Sequence, residues 1–180
     1  MADFKEKYEK KIRPELMKRH SYTSPLAVPK IVKIVVNSGV GRVQDEKEKD
    51  NIARQLGLIA GQKPSPRPAK KSIASFKTRE GMIIGFSVTL HGRRMYDFLS
   101  RLLEVALPRT RDFRGLSPSS LDGAGNLSIG VREHIVFPEI IGEDVKTIFG
   151  LEITVVTNAR SRAEALELYE SFGFPFSKND

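Results

Sequence analysis

The residues best suited to binding chemistry form a basic run between Lys63 and Arg79. This run has no acidic residue, and Ile73 and Phe76 lie between its cations. Cationic side chains neutralise phosphates, while an aromatic ring among them can stack on a base or anchor the loop to its own domain. The run therefore predicts an arm for nucleic-acid phosphates, although a solvated loop without a partner has the same composition. The cations are Lys63, Arg67, Lys70, Lys71, Lys77 and Arg79.

A second set of cations lies in the sequence Arg109-Thr110-Arg111-Asp112-Phe113-Arg114-Gly115, with Arg93 and Arg94 nearby in the chain. Arginine binds phosphate or carboxylate through two parallel hydrogen bonds, so these side chains are candidates for RNA contacts. Asp112 offers an internal partner for a structural salt bridge, and that alternative is equally open.

The motifs of nucleotide-binding enzymes are incomplete. Gly39-Val40-Gly41 precedes a predicted helix, but position 44 is glutamine and the next turn, Asp45-Glu46-Lys47-Glu48, places carboxylates where a pyrophosphate would bind. No nucleophile is paired with a base, and the histidines lack the spacing of metal ligands. We expect no enzymatic activity, no metal and no cofactor. His20, His91 and His134 are predicted to be surface or structural residues.

The composition is that of a globular domain with a cationic surface. Of 180 residues, 39% are hydrophobic, and 30 Lys and Arg against 22 Asp and Glu give a net charge of +8, which is typical of a partner of polyanions. The absence of cysteine excludes disulfides and thiolate chemistry. We expect one domain over residues 1–180, located in the cytoplasm without membrane contact, since no apolar signal or spanning segment is present.

Apolar periodicity predicts the order of the helices and strands. These helices and strands indicate an α+β fold, in which helices pack on one face of an antiparallel sheet and the other, polar face is offered to RNA. A basic extended arm is expected at residues 63–82. A long ordered loop is expected at 107–125. The predicted helices cover 3–20 with a break or kink at Pro14, 45–61, 92–108 and 161–173, and the predicted strands cover 31–37, 83–90, 126–132 and 151–157.

The strands have two chemically different sides, because alternate side chains point to opposite faces. One side is apolar, as in Ile84, Phe86, Val88 and Leu90, and should lie under the helices. The other side carries small or polar groups, which suit the shallow minor groove of RNA, although an ordinary solvent-facing sheet is also polar. Ile31 and Val35 are an even number of residues from Asn37, so a regular strand would place them on the same side. Their apolar side chains weaken the assignment of Asn37 to the polar side. The candidate polar-face contacts are Lys33, Asn37, Thr89 and Ser128.

Several longer strings occur in one order along the chain and resemble the bacterial large-subunit ribosomal protein five family from end to end. The resemblance is specific because it includes several strings rather than one short motif. The strings are Gly61-Gln62-Lys63-Pro64, Ala69-Lys70-Lys71-Ser72-Ile73, Phe76-Lys77, Pro108-Arg109-Thr110-Arg111-Asp112-Phe113-Arg114-Gly115-Leu116, Phe137-Pro138-Glu139-Ile140 and Gly173-Phe174-Pro175-Phe176.

This resemblance implies a non-catalytic protein of the central protuberance that binds 5S rRNA and helps to attach it to large-subunit rRNA. It also implies contact of the arm with P-site tRNA, a bridge to a small-subunit head protein, and other 5S rRNA-binding large-subunit proteins as neighbours. Asn37, Gln62 and Thr89 resemble the polar contacts of the family to 5S rRNA. The implied tRNA-facing residues are Lys70, Lys71, Ser72, Ile73, Phe76, Lys77 and Arg79, and the further RNA or intersubunit candidates are Arg93, Arg94, Arg109, Arg111 and Arg114.

The chain departs from the family pattern at three places. A stretch that usually reads Phe-Asp-Gly-Arg-Gly-Asn-Tyr is Leu121-Asp122-Gly123-Ala124-Gly125-Asn126-Leu127, so any contact made by that arginine and tyrosine is expected to be weaker. Ile83 replaces a usual proline, which predicts a less rigid return of the arm, and Ser177 replaces a usual basic residue. Two other functions stay open at this point, a small phosphate-handling enzyme and an adaptor that binds an acidic protein.

Overall fold

The computed structural model describes residues 4–111, 113–143, 145 and 147–177. Within them, four helices accompany one five-stranded antiparallel sheet, which confirms the predicted α+β fold. The strands are β1 (Ile31–Gly39), β2 (Ser65–Pro68), β3 (Ile83–Leu90), β4 (Leu127–Val131) and β5 (Leu151–Thr157). The helices are α1 (Phe4–Lys7, Tyr8–Ile12 and Arg13–Arg19), α2 (Glu46–Ala60), α3 (Gly92–Arg101, Leu102–Ala106 and Leu107–Arg109) and α4 (Arg162–Phe172).

The sheet has the strand order β2-β3-β1-β5-β4, with β1 at its centre. The β-branched density of β1 fits this position, since a central strand packs against neighbours on both sides. All four pairings are antiparallel. Strand β1 therefore lies between the β2–β3 hairpin and the β5–β4 pair. This order brings polar residues that are distant in sequence together on one surface.

Helices α1 and α3 each contain a proline and continue through it. A π-helical turn precedes the proline in both cases, at Tyr8–Ile12 before Pro14 and at Leu102–Ala106 before Pro108. A wider turn relieves the clash between a proline ring and the carbonyl four residues earlier. Helix α1 therefore does not break at Pro14, where the distortion is a π-helical turn and a kink stays a prediction, and α3 reaches Arg109 instead of stopping at Pro108.

Helix α1 packs through the apolar stripe that its sequence predicts. Phe4, Tyr8, Ile12 and Leu16 are all buried at i, i+4 spacing. The rings of Phe4 and Tyr8 stack on Phe172 of α4, with centroids 6.2 and 5.9 Å away. These contacts join the two ends of the chain in one core cluster.

The ends of α2 and α4 follow the capping chemistry of their sequences. The Asp45 carboxylate accepts a hydrogen bond from the Lys47 amide at 2.9 Å, and Gly61 ends α2 with a φ of +67°. At α4, the Ser161 hydroxyl accepts from the Glu164 amide at 3.3 Å, which confirms the first half of the predicted capping box. The Glu164 carboxylate bonds the amide of Arg160 rather than that of Ser161.

Strand β2 is a correction to the sequence prediction, which treated residues 63–79 as loop. Ser65–Pro68 pairs antiparallel with β3 as an edge strand. Prolines lack the N–H needed inside a sheet but are accepted at an edge, so Pro66 and Pro68 exclude a helix without excluding this strand. The basic arm therefore starts from the edge of the sheet.

A bulge in β1 explains the ambiguous parity of Ile31. The pairing of β1 with β5 shifts between Ile31 and Lys33, so the two residues no longer share a face. Ile31 is buried, whereas Lys33, Val35 and Asn37 are half-buried. Asn37 therefore lies on the polar side as predicted, and Val35 is an apolar residue within that side.

Candidate nucleic-acid interface

The face of the sheet opposite the buried core, called the polar face below, is built from rows of directly opposed residues. One row crosses all five strands and another crosses four, and their side chains are short apart from Glu152. Strands spaced about 4.8 Å apart make the longer row about 19 Å wide. The rows are Ser65–Ser87–Asn37–Glu152–Gly130 and Thr89–Val35–Thr154–Ser128, with Lys33–Val156 at one end and Arg67–Gly85–Gly39 at the other.

Glycines keep part of the polar face open. A Cβ atom added at Gly39 or Gly130 would meet nothing within 4 Å, so packing inside the chain does not require glycine at these positions. The backbone around Asn37 is accordingly accessible in a shallow groove of about 380 Å³, which Glu152 also lines. Such a surface can approach a ligand closely through both backbone and short side chains.

Glu152 places a carboxylate in the middle of this otherwise short row, directly between Asn37 and Gly130. A carboxylate repels phosphate but accepts hydrogen bonds from amino and hydroxyl groups. Alternation along β5 places Glu152 on this side, between the buried residues Leu151 and Ile153. The centre of the row therefore suits groups that donate hydrogen bonds rather than phosphates.

Gln62 lies at the edge of the sheet, just beyond α2. Its amide nitrogen donates to the Thr89 carbonyl at 3.3 Å, and its amide oxygen accepts from Arg94 at 3.3 Å. The structure therefore brings together Gln62, Thr89 and Arg94, which the sequence placed in three different segments. Asn37 lies on the same face one strand away, since its neighbour Val35 pairs with Thr89.

The basic arm is a folded but exposed projection. Its base is closed by the hydrogen bond from the Ala69 amide to the Met82 carbonyl at 2.8 Å, and its tip by an antiparallel bridge between Ile73 and Thr78. Phe76 is 75% exposed. The ring is therefore largely free for a partner, which disfavours the alternative that Phe76 anchors the arm to its own domain.

The arginines grouped by sequence separate in space. Arg93 and Arg94 begin α3, whereas Arg109 ends it, and an α-helical rise over this length is about 25 Å. Arg111 and Arg114 line a cleft of about 550 Å³ that Arg132 and Glu133 also line. Asp112, the suggested internal partner, lies outside the described residues.

Comparisons with known proteins identify the family of this chain. A family model described as ribosomal protein L5 matches residues 24–79, and a second model, described as the C-terminus of the same ribosomal family, matches residues 83–176. The chain is 53% identical over 175 residues to the large ribosomal subunit protein uL5 of Limosilactobacillus fermentum, covering 97% of each chain. The protein of the same name from Halothermothrix orenii is 50% identical over 179 residues, covering 99% of this chain and 100% of its own.

The chain belongs to the ribosomal protein L5 family. It is therefore a structural protein of the large ribosomal subunit, which confirms the resemblance found in the sequence. The two matched segments interleave within the sheet, because β1 and β2 lie in the first segment and β3, β4 and β5 in the second. The polar face of this L5 family member is thus assembled from both segments.

The departures from the L5 pattern have different structural settings. Leu127 is fully buried, so replacement of the usual tyrosine changes the core rather than an exposed contact. Ala124 is exposed, and loss of an arginine there removes a cation from the surface. Ile83 is 37% exposed at the return of the arm, and the Ser177 amide bonds the Leu116 carbonyl at 2.9 Å.

The three histidines have individual structural settings. His20 Nε2 lies 2.8 Å from a carboxylate oxygen of Glu167 on the surface, and His91 Nδ1 lies 3.3 Å from the Val32 carbonyl oxygen. His134 is fully buried, stacks on Phe149 with ring centroids 3.9 Å apart and accepts a hydrogen bond from the Phe149 amide. Burial lowers the pKa of His134, since its charged form is poorly solvated there.

Lowering the pH from 7 to 5 is expected to destabilise the protein through His134. The unfolded histidine binds a proton below its pKa of about 6.5, whereas the folded one resists protonation, so stability is complete above that pH and falls below it by at most about 1.4 kcal/mol per pH unit. His134→Asn should lose this pH dependence in urea unfolding, and His20→Asn should keep it. Equal slopes for wild type and His134→Asn would contradict the assignment.

Within the described part of the chain, no cluster of three or more histidine, aspartate or glutamate residues is arranged to hold a metal ion. The described helices also include none with the length and apolar character needed to cross a membrane.

Proposed function

We propose that this chain is a non-enzymatic, single-domain protein that binds 5S rRNA through its polar face and attaches it to large-subunit rRNA in the central protuberance. The observation that carries the proposal is the row of opposed residues from Ser65 to Gly130 across five strands. Such a wide, low surface fits the minor groove of A-form RNA, where 2′-hydroxyls and base edges are displayed.

Affinity and selectivity are assigned to different residues in this proposal. Lys33 and Arg67, at opposite ends of the polar face, meet phosphates and supply a salt-dependent attraction. Asn37, Thr89 and Ser128 offer hydrogen-bond donors and acceptors to ribose and base edges. Gln62 continues this set at the edge of the sheet, where its contact with Arg94 fixes its orientation.

The basic arm is proposed to contact P-site tRNA. Its cations project with the exposed Phe76, and this combination binds a phosphate backbone while offering a ring to a base or sugar. The tip is ordered by the Ile73–Thr78 bridge, and the Ser72 hydroxyl accepts from the Glu80 amide at 2.9 Å. The arm is therefore partly preorganised before it meets RNA.

A third surface is proposed to reach the small-subunit head and neighbouring large-subunit components. Arg111 and Arg114 lie beside a cleft, and Arg109 is exposed at the end of α3. Ile141 and Ile148, in the described part of the following loop, are 68% and 58% exposed. A surface that combines cations with exposed apolar side chains can bind protein as well as RNA.

Binding to 5S rRNA beside an unrelated structured RNA of equal length tests the proposal. The titration is repeated over a series of salt concentrations, because phosphate attraction weakens with salt whereas hydrogen-bond recognition weakens much less. We expect a preference for 5S rRNA that persists at high salt. Equal affinities that fall together as salt rises would contradict specific recognition and leave only a cationic surface.

Neutralising the arm is expected to weaken tRNA binding to ribosomes by about tenfold, since several phosphate contacts are lost. The variant carries glutamine at Lys70, Lys71, Lys77 and Arg79. The measurement is the affinity of P-site tRNA for ribosomes reconstituted with the variant. The matched control places glutamine at four exposed cations of α1, namely Lys10, Lys11, Lys18 and Arg19.

The same arm variant separates the two proposed RNA sites. Its free form should still prefer 5S rRNA over the unrelated RNA at high salt, because the polar face is unchanged. An unaltered tRNA affinity would refute the role of the arm, and an equal loss in the α1 control would show that only net charge matters.

A further inference from the structure

A groove of about 690 Å³ lies between α2 and the base of the arm, and no role proposed above uses it. Its size is within the range of ligand-binding clefts. Six apolar residues contribute to its lining, and two of them, Pro66 and Phe86, are paired neighbours on β2 and β3. The apolar residues are Ala53, Pro64, Pro66, Met82, Ile83 and Phe86.

Lys49 contributes to this groove a positive charge without a partner in the residues that the structure describes. Its side chain lines the groove from α2, and the residue is only 8% exposed. Among the described residues it has neither an ion pair nor a side-chain hydrogen bond, and its Nζ keeps access to solvent, so the ammonium group can take an acceptor from a ligand. A partner carboxylate would supply that acceptor.

The other charges of the lining are arranged around Lys49. Arg54 is already paired with Glu143, whereas Lys63 is exposed and has no ion pair in the described part of the chain. Glu46 and Asp50 lie at the same end of α2 and leave the groove only mildly cationic. This balance disfavours a polyphosphate and suits a ligand that places a carboxylate beside an apolar group.

The groove faces away from the proposed RNA site. Phe86 belongs to the buried side of β3, whereas its neighbours Gly85 and Ser87 belong to the polar face. RNA on the polar face therefore leaves the groove accessible. Strand addition is disfavoured at this edge, because Pro66 and Pro68 have no N–H to donate, so a bound segment must be recognised by its side chains.

We propose that this groove binds an extended peptide segment of another protein, in which a bulky apolar residue is flanked by Asp or Glu. The apolar side chain lies on the floor formed by Pro64, Met82 and Phe86, and the carboxylate accepts hydrogen bonds from the ammonium group of Lys49. The site is independent of 5S rRNA recognition and goes beyond the proposed function.

The test uses a fluorescein-labelled hexapeptide, Glu-Leu-Glu-Phe-Glu-Leu, and its fluorescence polarisation with the full chain. One control peptide has Gln for each Glu, and a second has Ala for Leu and Phe. Lys49→Met removes the charge while preserving length, and Lys47→Met is the matched control, because Lys47 is exposed on the same helix. Ala53→Glu is an independent variant, because it narrows the groove and adds a negative charge that repels the acidic peptide.

We expect saturable binding that weakens at least tenfold with Lys49→Met, with Ala53→Glu and with either control peptide, but not with Lys47→Met. Amide NMR signals of α2 and residues 81–83 should shift on binding. Absent saturation, equal affinities of the two lysine variants, or shifts confined to the tip of the arm at residues 70–79 would overturn the proposal. Measurements on free protein and with bound 5S rRNA should agree within twofold, so a failure of RNA recognition leaves this test intact.

Discussion

Simultaneous replacement of Asn37 and Gln62 by alanine and of Thr89 by valine is expected to reduce 5S rRNA affinity by about 10- to 2,000-fold. Each lost hydrogen bond contributes about 0.5–1.5 kcal/mol, and three independent losses combine to a change of this size. Thr89 and Asn37 lie on the polar face, while Gln62 is held beside them by the Thr89 carbonyl. The measurement is a binding titration at high salt, where phosphate attraction is weakest.

A matched triple variant controls for general effects on the surface. Gln44→Ala, Asn51→Ala and Ser171→Ala remove polar side chains that belong to no strand of the sheet, and this variant should retain wild-type affinity. Thermal unfolding of both triple variants shows whether the fold persists. An unchanged affinity of the polar-face variant would refute its role, and a similar loss in both variants would mean that the effect is not specific to this face.

Much of the architecture could be predicted because local signals agree with the final packing. β3 and β5 have the bounds that their alternation indicates, and their apolar positions are buried apart from Ile84. Ile84 is 36% exposed, since the register of β2 against β3 shifts between Arg67 and Pro68 and leaves Ile84 without a partner on β2. Periodicity identifies a strand, but it does not reveal such a local shift.

The types of residue at the candidate site could be predicted from the sequence, but their positions relative to one another could not. The side of Asn37 depends on a bulge between Ile31 and Lys33, and the bulge arises from pairing with a strand more than 100 residues later. The contact between Gln62 and Arg94 depends on how α2 ends and how α3 begins against the sheet. Sequence proximity also grouped Arg93 with Arg109, which α3 separates, because spacing along a helix is not visible in a list of charges.

The setting of the basic arm could be predicted only in part from its residues. The chemical pattern of Lys63 to Arg79 left an anchoring role for Phe76 open, and its exposure of 75% now favours a contact with a partner. Pattern also treated the first residues of this arm as irregular, although β2 places Ser65–Pro68 at the sheet edge. The arm is thus attached to the same sheet that carries the polar face, which favours coordinated placement of two RNA contacts.

Gly125→Ala is expected to destabilise the fold by about 2–5 kcal/mol, from left-handed backbone strain and steric overlap together. The φ of Gly125 is +79°, and an added Cβ atom would lie 2.8 Å from the Cβ of Ala165. This glycine holds the turn before β4 against α4, where its carbonyl accepts hydrogen bonds from Thr157 at 2.9 Å and Tyr169 at 3.1 Å. Urea unfolding measures the loss.

A double-mutant cycle with Ala165→Gly separates the two causes. Removing the methyl group of Ala165 relieves the overlap but not the positive φ, so Gly125→Ala should cost less in that background while retaining about 1–2 kcal/mol of strain. Gly123→Ala is the neighbouring control, because a Cβ there meets nothing within 4 Å and no positive φ is required. Equal costs for Gly123→Ala and Gly125→Ala would contradict this account. A smaller cost in the Ala165→Gly background would show that close packing on α4 fixes the turn from which β4 enters the polar face.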